Sequence, residues 1–127
     1  MNILIVESRA ELGQLWQRHL ERQGNIVTLS ADQDTAIDAL CRWDFDIIVL
    51  DLVLDQGSAL AVSDFASYRR PEAQVIFVTN TTFFSDGSIF AHSPNACAFV
   101  PSTTPPEDLA AMIDYHAAPR AARSWGT

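Results

Sequence analysis

Two periods of apolar residues alternate along the chain. Asn2 to Val6 is a short, β-branched apolar run, the pattern of a strand covered on both faces. Leu12, Leu15, Trp16, His19 and Leu20 then recur at helical spacing, and Gly24 stands where a helix would end. Asn25 to Leu29 reads as a second strand. Asp32 or Ser30 is placed to cap a helix whose inward stripe is Ala36, Ile37, Leu40 and Cys41. Asp46 to Leu50 is a third strand, followed by a loop through Asp55, Gln56, Gly57 and Ser58 and a less regular helix from Leu60 to Tyr68, closed by Pro71.

Gln74 to Thr79 is a fourth apolar strand, Thr81 to His92 is read as one short helix, and Cys97 to Val100 is a fifth strand. A proline-rich loop from Pro101 to Glu107 opens the last helix, with Leu109, Met112, Ile113 and His116 on its inner side. Small residues, Pro119 and arginines then predict a flexible tail over 119–127, leaving one domain over 1–118. Five strands alternating with five helices predict an α/β fold, a doubly wound parallel sheet with helices on both faces. In such folds ligands gather at the carboxyl ends of the strands. The residues arriving there are Glu7 and Ser8, then Asp51, then Thr79 and Asn80, and finally Val100 and Pro101.

Composition narrows the function. At 127 residues the chain suits one domain with one core. A net charge of −8, with eight scattered arginines and no lysine, argues against direct nucleic-acid binding, which rewards clustered basic side chains. Cys41 and Cys97 have no metal-ligand or disulfide spacing and read as buried thiols. No apolar stretch reaches the length of a membrane helix, and the first strand begins at Asn2 without room for a leader, so the expectation is a cytoplasmic protein. No histidine has a Ser or Cys partner at a readable spacing, and Glu7 to Ala10 is not a glycine-rich phosphate loop. A small enzyme or nucleotide-binding protein on the same layered fold therefore stands as the weaker alternative.

The order of these strand ends resembles the receiver domain of two-component response regulators, over residues 2 to about 116. The motifs are Ile3 to Ser8, Ile47 to Leu52, Val75 to Asn80 and Ala98 to Pro101. The resemblance implies a flavodoxin-like sheet of order 2-1-3-4-5. It makes Asp51 the phosphoacceptor position, Glu7, Ser8 and Asp51 the acidic, magnesium-associated pocket, and Thr79 the hydroxyl that bonds a phosphoryl oxygen. A histidine kinase, a phosphotransfer protein or an output protein is the implied partner. The face of the fourth helix, fifth strand and last helix is the implied homodimer surface.

Five positions depart from that pattern, among them Asp55, which stands where the loop after Asp51 commonly has a proline and adds negative charge near the site. Ser8 replaces the aspartate that binds metal directly, so only Glu7 and Asp51 are left as carboxylates and magnesium binding is expected to be weak or absent. Val100 replaces the lysine, and loss of one such cationic donor costs about 2.7–4 kcal/mol of transition-state stabilisation. Asn80 follows Thr79 where a small residue would leave the pocket open, and Cys97 takes the place of the aromatic switch residue, with Phe99 two positions on. Ser8 instead reads as a helix N-cap, with Glu11 completing a capping box. The expected function is an atypical, stand-alone receiver acting through protein contacts, with phosphorylation at Asp51 weakened or lost. A magnesium-dependent, phosphorylatable regulator is the alternative.

Overall fold

The computed structural model describes residues 1–79 and 96–126, with side chains to Ala117. Nine elements follow in order: β1 (Asn2–Val6), α1 (Ala10–Arg22), β2 (Ile26–Ser30), α2 (Gln33–Arg42), β3 (Ile47–Asp51), α3 (Ala59–Arg69), β4 (Gln74–Thr79), β5 (Ala96–Pro101) and α4 (Pro106–Gly126). All strand pairs are parallel, in the order β2-β1-β3-β4-β5. The helix expected over Thr81 to His92 lies outside the described residues, as does Asn80.

The apolar runs are explained by burial on both faces. Leu4 and Val6 of β1, with Ile48 and Leu50 of β3, join Leu40 of α2 and Val62 of α3 in one core. Their neighbours Ile3, Ile5, Ile47 and Val49 join Trp16 and Leu20 of α1 and Leu109 and Ile113 of α4 in the other. Successive strand residues point to opposite faces, so a strand between two helical layers carries no polar alternation. Trp16 is fully buried, and its indole N–H donates to the Thr104 carbonyl at 3.3 Å, tying α1 to the loop before α4.

Several inward stripes sit differently from the periodicity reading. Leu15 is half exposed, and the buried face of α1 runs through Gly13, Trp16 and Leu20. A Cβ on Gly13 would lie 2.7 Å from Leu29 Cδ1, so the missing side chain lets α1 approach β2 and brings this face inward. In α2 the buried residues are Ala36, Ala39 and Leu40. Cys41 is exposed, because five residues beyond Ala36 the helix has turned away from the sheet, so the expectation of a buried thiol is corrected there. Asp32, not Ser30, caps α2, accepting from the Thr35 N–H at 2.9 Å.

The backbone of α4 is helical through Gly126.

In β5 the register against β4 slips, Val75 facing Ala96 while Ile76 faces Ala98. Cys97 is the extra residue of this bulge. Ala96 and Phe99 consequently pack on the α2–α3 side, whereas Cys97, Ala98 and Val100 pack on the α1–α4 side.

Candidate functional site: an acidic pair bridged by Arg9

The carboxyl ends of β1 and β3 lie side by side at the centre of the sheet, with Val6 opposite Leu50. The chain crosses from one face of the sheet to the other at this point, which opens a crevice above the two strands. Glu7, one residue beyond β1, and Asp51, the last residue of β3, stand there with exposures of only 2% and 5%. The structure thus brings together two of the acids named from the sequence.

Both Asp51 oxygens are engaged. Oδ1 accepts from the Val53 N–H at 2.8 Å, and Oδ2 accepts from Arg9 Nη2 at 3.2 Å. The same guanidinium donates through Nε to Glu7 Oε2 at 3.3 Å, and the Arg9 backbone N–H reaches that oxygen at 3.1 Å. Arg9 therefore spans the two acids. Its side chain remains half exposed while both partners are buried, so the cation enters the pocket from the solvent side.

Glu7 is pushed up to about 7 from its ordinary 4.5. Burial is the main cause, followed by a hydrogen bond with Asp51. The Arg9 N–H opposes the rise, the Asp51 charge adds to it, and the Arg9 guanidinium opposes it again. Glu7 Oε1 is buried and has no hydrogen-bond partner among the described residues.

Ser8 does not cap α1. The N-cap is Arg9, with no side-chain cap bond, so the capping box with Glu11 does not form. Ser8 Oγ instead donates to the Ala31 carbonyl at 2.8 Å and accepts from the Asp55 N–H at 2.9 Å. It ties together the loops that follow β1, β2 and β3. The local capping logic lost because the neighbouring loops offer both a donor and an acceptor.

The remaining sequence candidates are spread over β4 and β5. Thr79 ends β4 beside Asp51's neighbour Val78, is half-buried, and pairs with Pro101; its carbonyl accepts from the Ser102 N–H at 2.9 Å. Val100 is 2% exposed and belongs to the core beneath α1 and α4. Cys97 is partly buried, and burial pushes its thiol up to about 11. Phe99 stacks on Phe77 with ring centroids 5.4 Å apart on the opposite side of the sheet from Cys97. Arg9 is the residue that sequence reading missed. The available signal was a lone basic residue two positions after Glu7, in a chain without lysine.

A magnesium ion needs a near-octahedral oxygen shell with room for several waters. Glu7 and Asp51 bring carboxylates, but the Ser8 hydroxyl is spent on two backbone partners and the Arg9 guanidinium contacts both acids. Among the described residues no group of three or more His, Cys, Asp or Glu side chains could hold a metal ion. An ion that contacted both acids would have to displace the Arg9 guanidinium.

No family model matches the chain. It is 30% identical over 117 residues to the transcriptional regulatory protein RstA of Escherichia coli K12, covering 90% of this chain and 47% of that protein. The chain thus spans about half the length of this curated relative. A CheY-like response regulator receiver domain protein from Methanospirillum hungatei superposes with a TM-score of 0.86, at 21% identity, covering 96% of this chain and 97% of that one. A response regulator from Burkholderia pseudomallei, solved with a phosphorylated aspartic acid, a calcium ion and citrate, gives 0.80 at 21% identity, covering 97% and 72%. The chain has the fold of the response regulator receiver domains it superposes on, a parallel sheet of order 2-1-3-4-5. No helix among the described residues is long and apolar enough to cross a membrane.

Proposed function

We propose that the chain serves two-component or phosphorelay signalling as a receiver that works through protein–protein contacts, with phosphorylation of Asp51 weakened or lost. The observation that carries this reading is the engagement of both Asp51 oxygens, one by the Val53 N–H and one by Arg9. A carboxylate oxygen that accepts a hydrogen bond from a cation keeps a second lone pair but is a weaker nucleophile, and the transfer needs cations on the equatorial oxygens. Here the nearest cation holds the nucleophile itself, Val100 supplies none, and a magnesium ion contacting both acids would have to displace Arg9. The domain would then present a fixed surface to a histidine kinase, a phosphotransfer protein or an output protein, and turn over no substrate of its own.

The alternative is a receiver that still accepts a phosphoryl group on Asp51. Its support is the placement of Thr79 at the end of β4, one strand from Asp51, where a hydroxyl would meet a phosphoryl oxygen. Incubation with acetyl phosphate and Mg²⁺, followed by intact mass measurement beside Asp51→Asn, separates the two. No mass gain supports the first reading. A gain of one phosphate that Asp51→Asn abolishes establishes the second.

A further inference from the structure

We infer that Arg9 is the resident cation of the acidic pocket, occupying by a tether the electrostatic place that a divalent metal would take and keeping such metals out. Three features of the geometry carry this. The guanidinium contacts both acids at once, 3.3 Å from Glu7 Oε2 and 3.2 Å from Asp51 Oδ2. The contact is built into the backbone, because the Arg9 N–H also bonds Glu7 Oε2, closing a ring in which one residue grips a single carboxylate oxygen twice. The third loop position, Ser8, is turned away and fastened to Ala31 and Asp55, so it adds no oxygen to the pocket.

Charge accounting agrees with the geometry. Two buried carboxylates without a counterion would repel each other and attract any available cation. Arg9 places one positive charge in contact with both of them, 3.3 Å from Glu7 and 3.2 Å from Asp51. A divalent ion entering that arrangement must displace a guanidinium that cannot diffuse away, and must sit beside its positive charge. The arrangement also explains how the pocket tolerates Ser8 and Val100: the cation has moved from the metal and the strand-end lysine to the loop after β1.

This inference deepens the reading of weakened phosphorylation and rests on it only for its consequence, not for its geometry. The two fail separately. A phosphate mass gain on the wild-type protein would remove that reading while leaving the metal question to a direct titration.

The test is calorimetric titration of the full chain with MgCl₂ alone, for wild type, Arg9→Gln, Asp51→Asn and the Arg9→Gln/Asp51→Asn double variant, with folding checked by circular dichroism. The wild type is expected to give no saturable heat. Arg9→Gln should bind Mg²⁺ on the order of tenfold or more tightly than wild type, because a like charge at contact distance has been removed. The double variant should lose that gain. Saturable Mg²⁺ binding by the wild type that Asp51→Asn abolishes would overturn the inference. So would a folded Arg9→Gln with no gain in affinity. Should Arg9→Gln fail to fold, the comparison of wild type with Asp51→Asn still decides the first point. Arg9→Lys, which keeps the charge but not the fork, decides the second: it supports the inference by an intermediate gain and overturns it by none.

Discussion

Arg9 Nη2 meets Asp51 Oδ2 at 3.2 Å across a gap of 42 positions in the chain, a half-exposed cation on a buried acid. The contact joins the loop after β1 to the end of β3, where Asp51 is the charged residue of the described strands. Its exposure on the arginine side limits its worth, since solvent screens the guanidinium. Arg9→Ala should therefore destabilise the domain by only about 1 kcal/mol at pH 8 and low salt, or roughly 4 °C in Tm. The loss should shrink in 1 M salt. Thermal melts at the two salt concentrations check this, and an effect of several kcal/mol would mean that Arg9 supports more than the acidic pair.

Glu7 gives the domain a pH dependence of unusual sign for a carboxylate. In the folded chain it keeps its proton up to about 7, against an ordinary 4.5, so between those values the folded state binds more protons than the unfolded one. Its contribution to stability is full below 4.5 and is lost as pH rises through 7. The full swing is on the order of 3 kcal/mol. Glu7→Gln, which keeps the neutral shape, should abolish the swing and gain relative to wild type as pH goes from 5 to 8. Urea melts of both proteins across that range check it, and parallel curves would refute the raised pKa of Glu7.

Ser8 is the fastener of three loops, donating to the Ala31 carbonyl and accepting from the Asp55 N–H. Ser8→Ala removes both bonds at an exposed position, where water replaces them, so the global cost should be about 1 kcal/mol. The local signature is sharper. The Asp55 amide should exchange on the order of fivefold faster with deuterium, while amides of β4 keep their rates. Unchanged protection at Asp55 would show that the loop after β3 is held by other contacts.

Much of this architecture was legible in the sequence, and the failures have physical causes. The strand ends at Glu7, Asp51 and Thr79 were readable because burial on both faces forces uninterrupted apolar runs, and a polar residue closing such a run must face the crevice. The buried face of α1 was misread because Gly13, with no side chain, scores as a spacer although it is where the helix comes closest to the sheet. Cys97 and Phe99 stand two positions apart, a spacing that in a regular strand shares one face; the bulge against β4 puts them on opposite faces, and a bulge leaves no mark in the alternation of so short a strand. Arg9 was passed over because its role depends on a residue 42 positions away, which no local period encodes.

Gly57 is held in a left-handed turn, φ +93°, where a side chain is strained on its own account. Its missing Cβ also leaves room for Gln33, whose Cβ would lie 2.4 Å away. That glutamine matters, because its Oε1 accepts the Ser58 N–H at 2.8 Å while its backbone N–H donates to Gln56. Gly57→Ala should cost about 2 kcal/mol by chemical denaturation and loosen the start of α3. Gly57→Asn, better suited to positive φ, should cost less for the backbone but keep the clash with Gln33. Equal stability of Gly57→Ala and wild type would show that the turn rearranges freely.

Val100→Lys tests whether restoring the strand-end lysine alone restores a receiver pocket. Val100 is 2% exposed in the core shared by β4, α1 and α4, so an ammonium placed there must be desolvated or must pull its stem out toward the crevice. Either route opens a defect, and the cost should be about 2–4 kcal/mol. The crevice already holds a cation on Asp51, so the new charge would meet Arg9 before it met a free carboxylate. Val100→Lys should therefore lower the melting temperature and gain no phosphate from acetyl phosphate in an intact mass measurement. The double variant Arg9→Gln/Val100→Lys, with Asp51 Oδ2 released, is the one expected to show a gain. Phosphorylation of Val100→Lys with Arg9 in place would mean that the arginine contact opens readily and that the missing lysine alone silences Asp51.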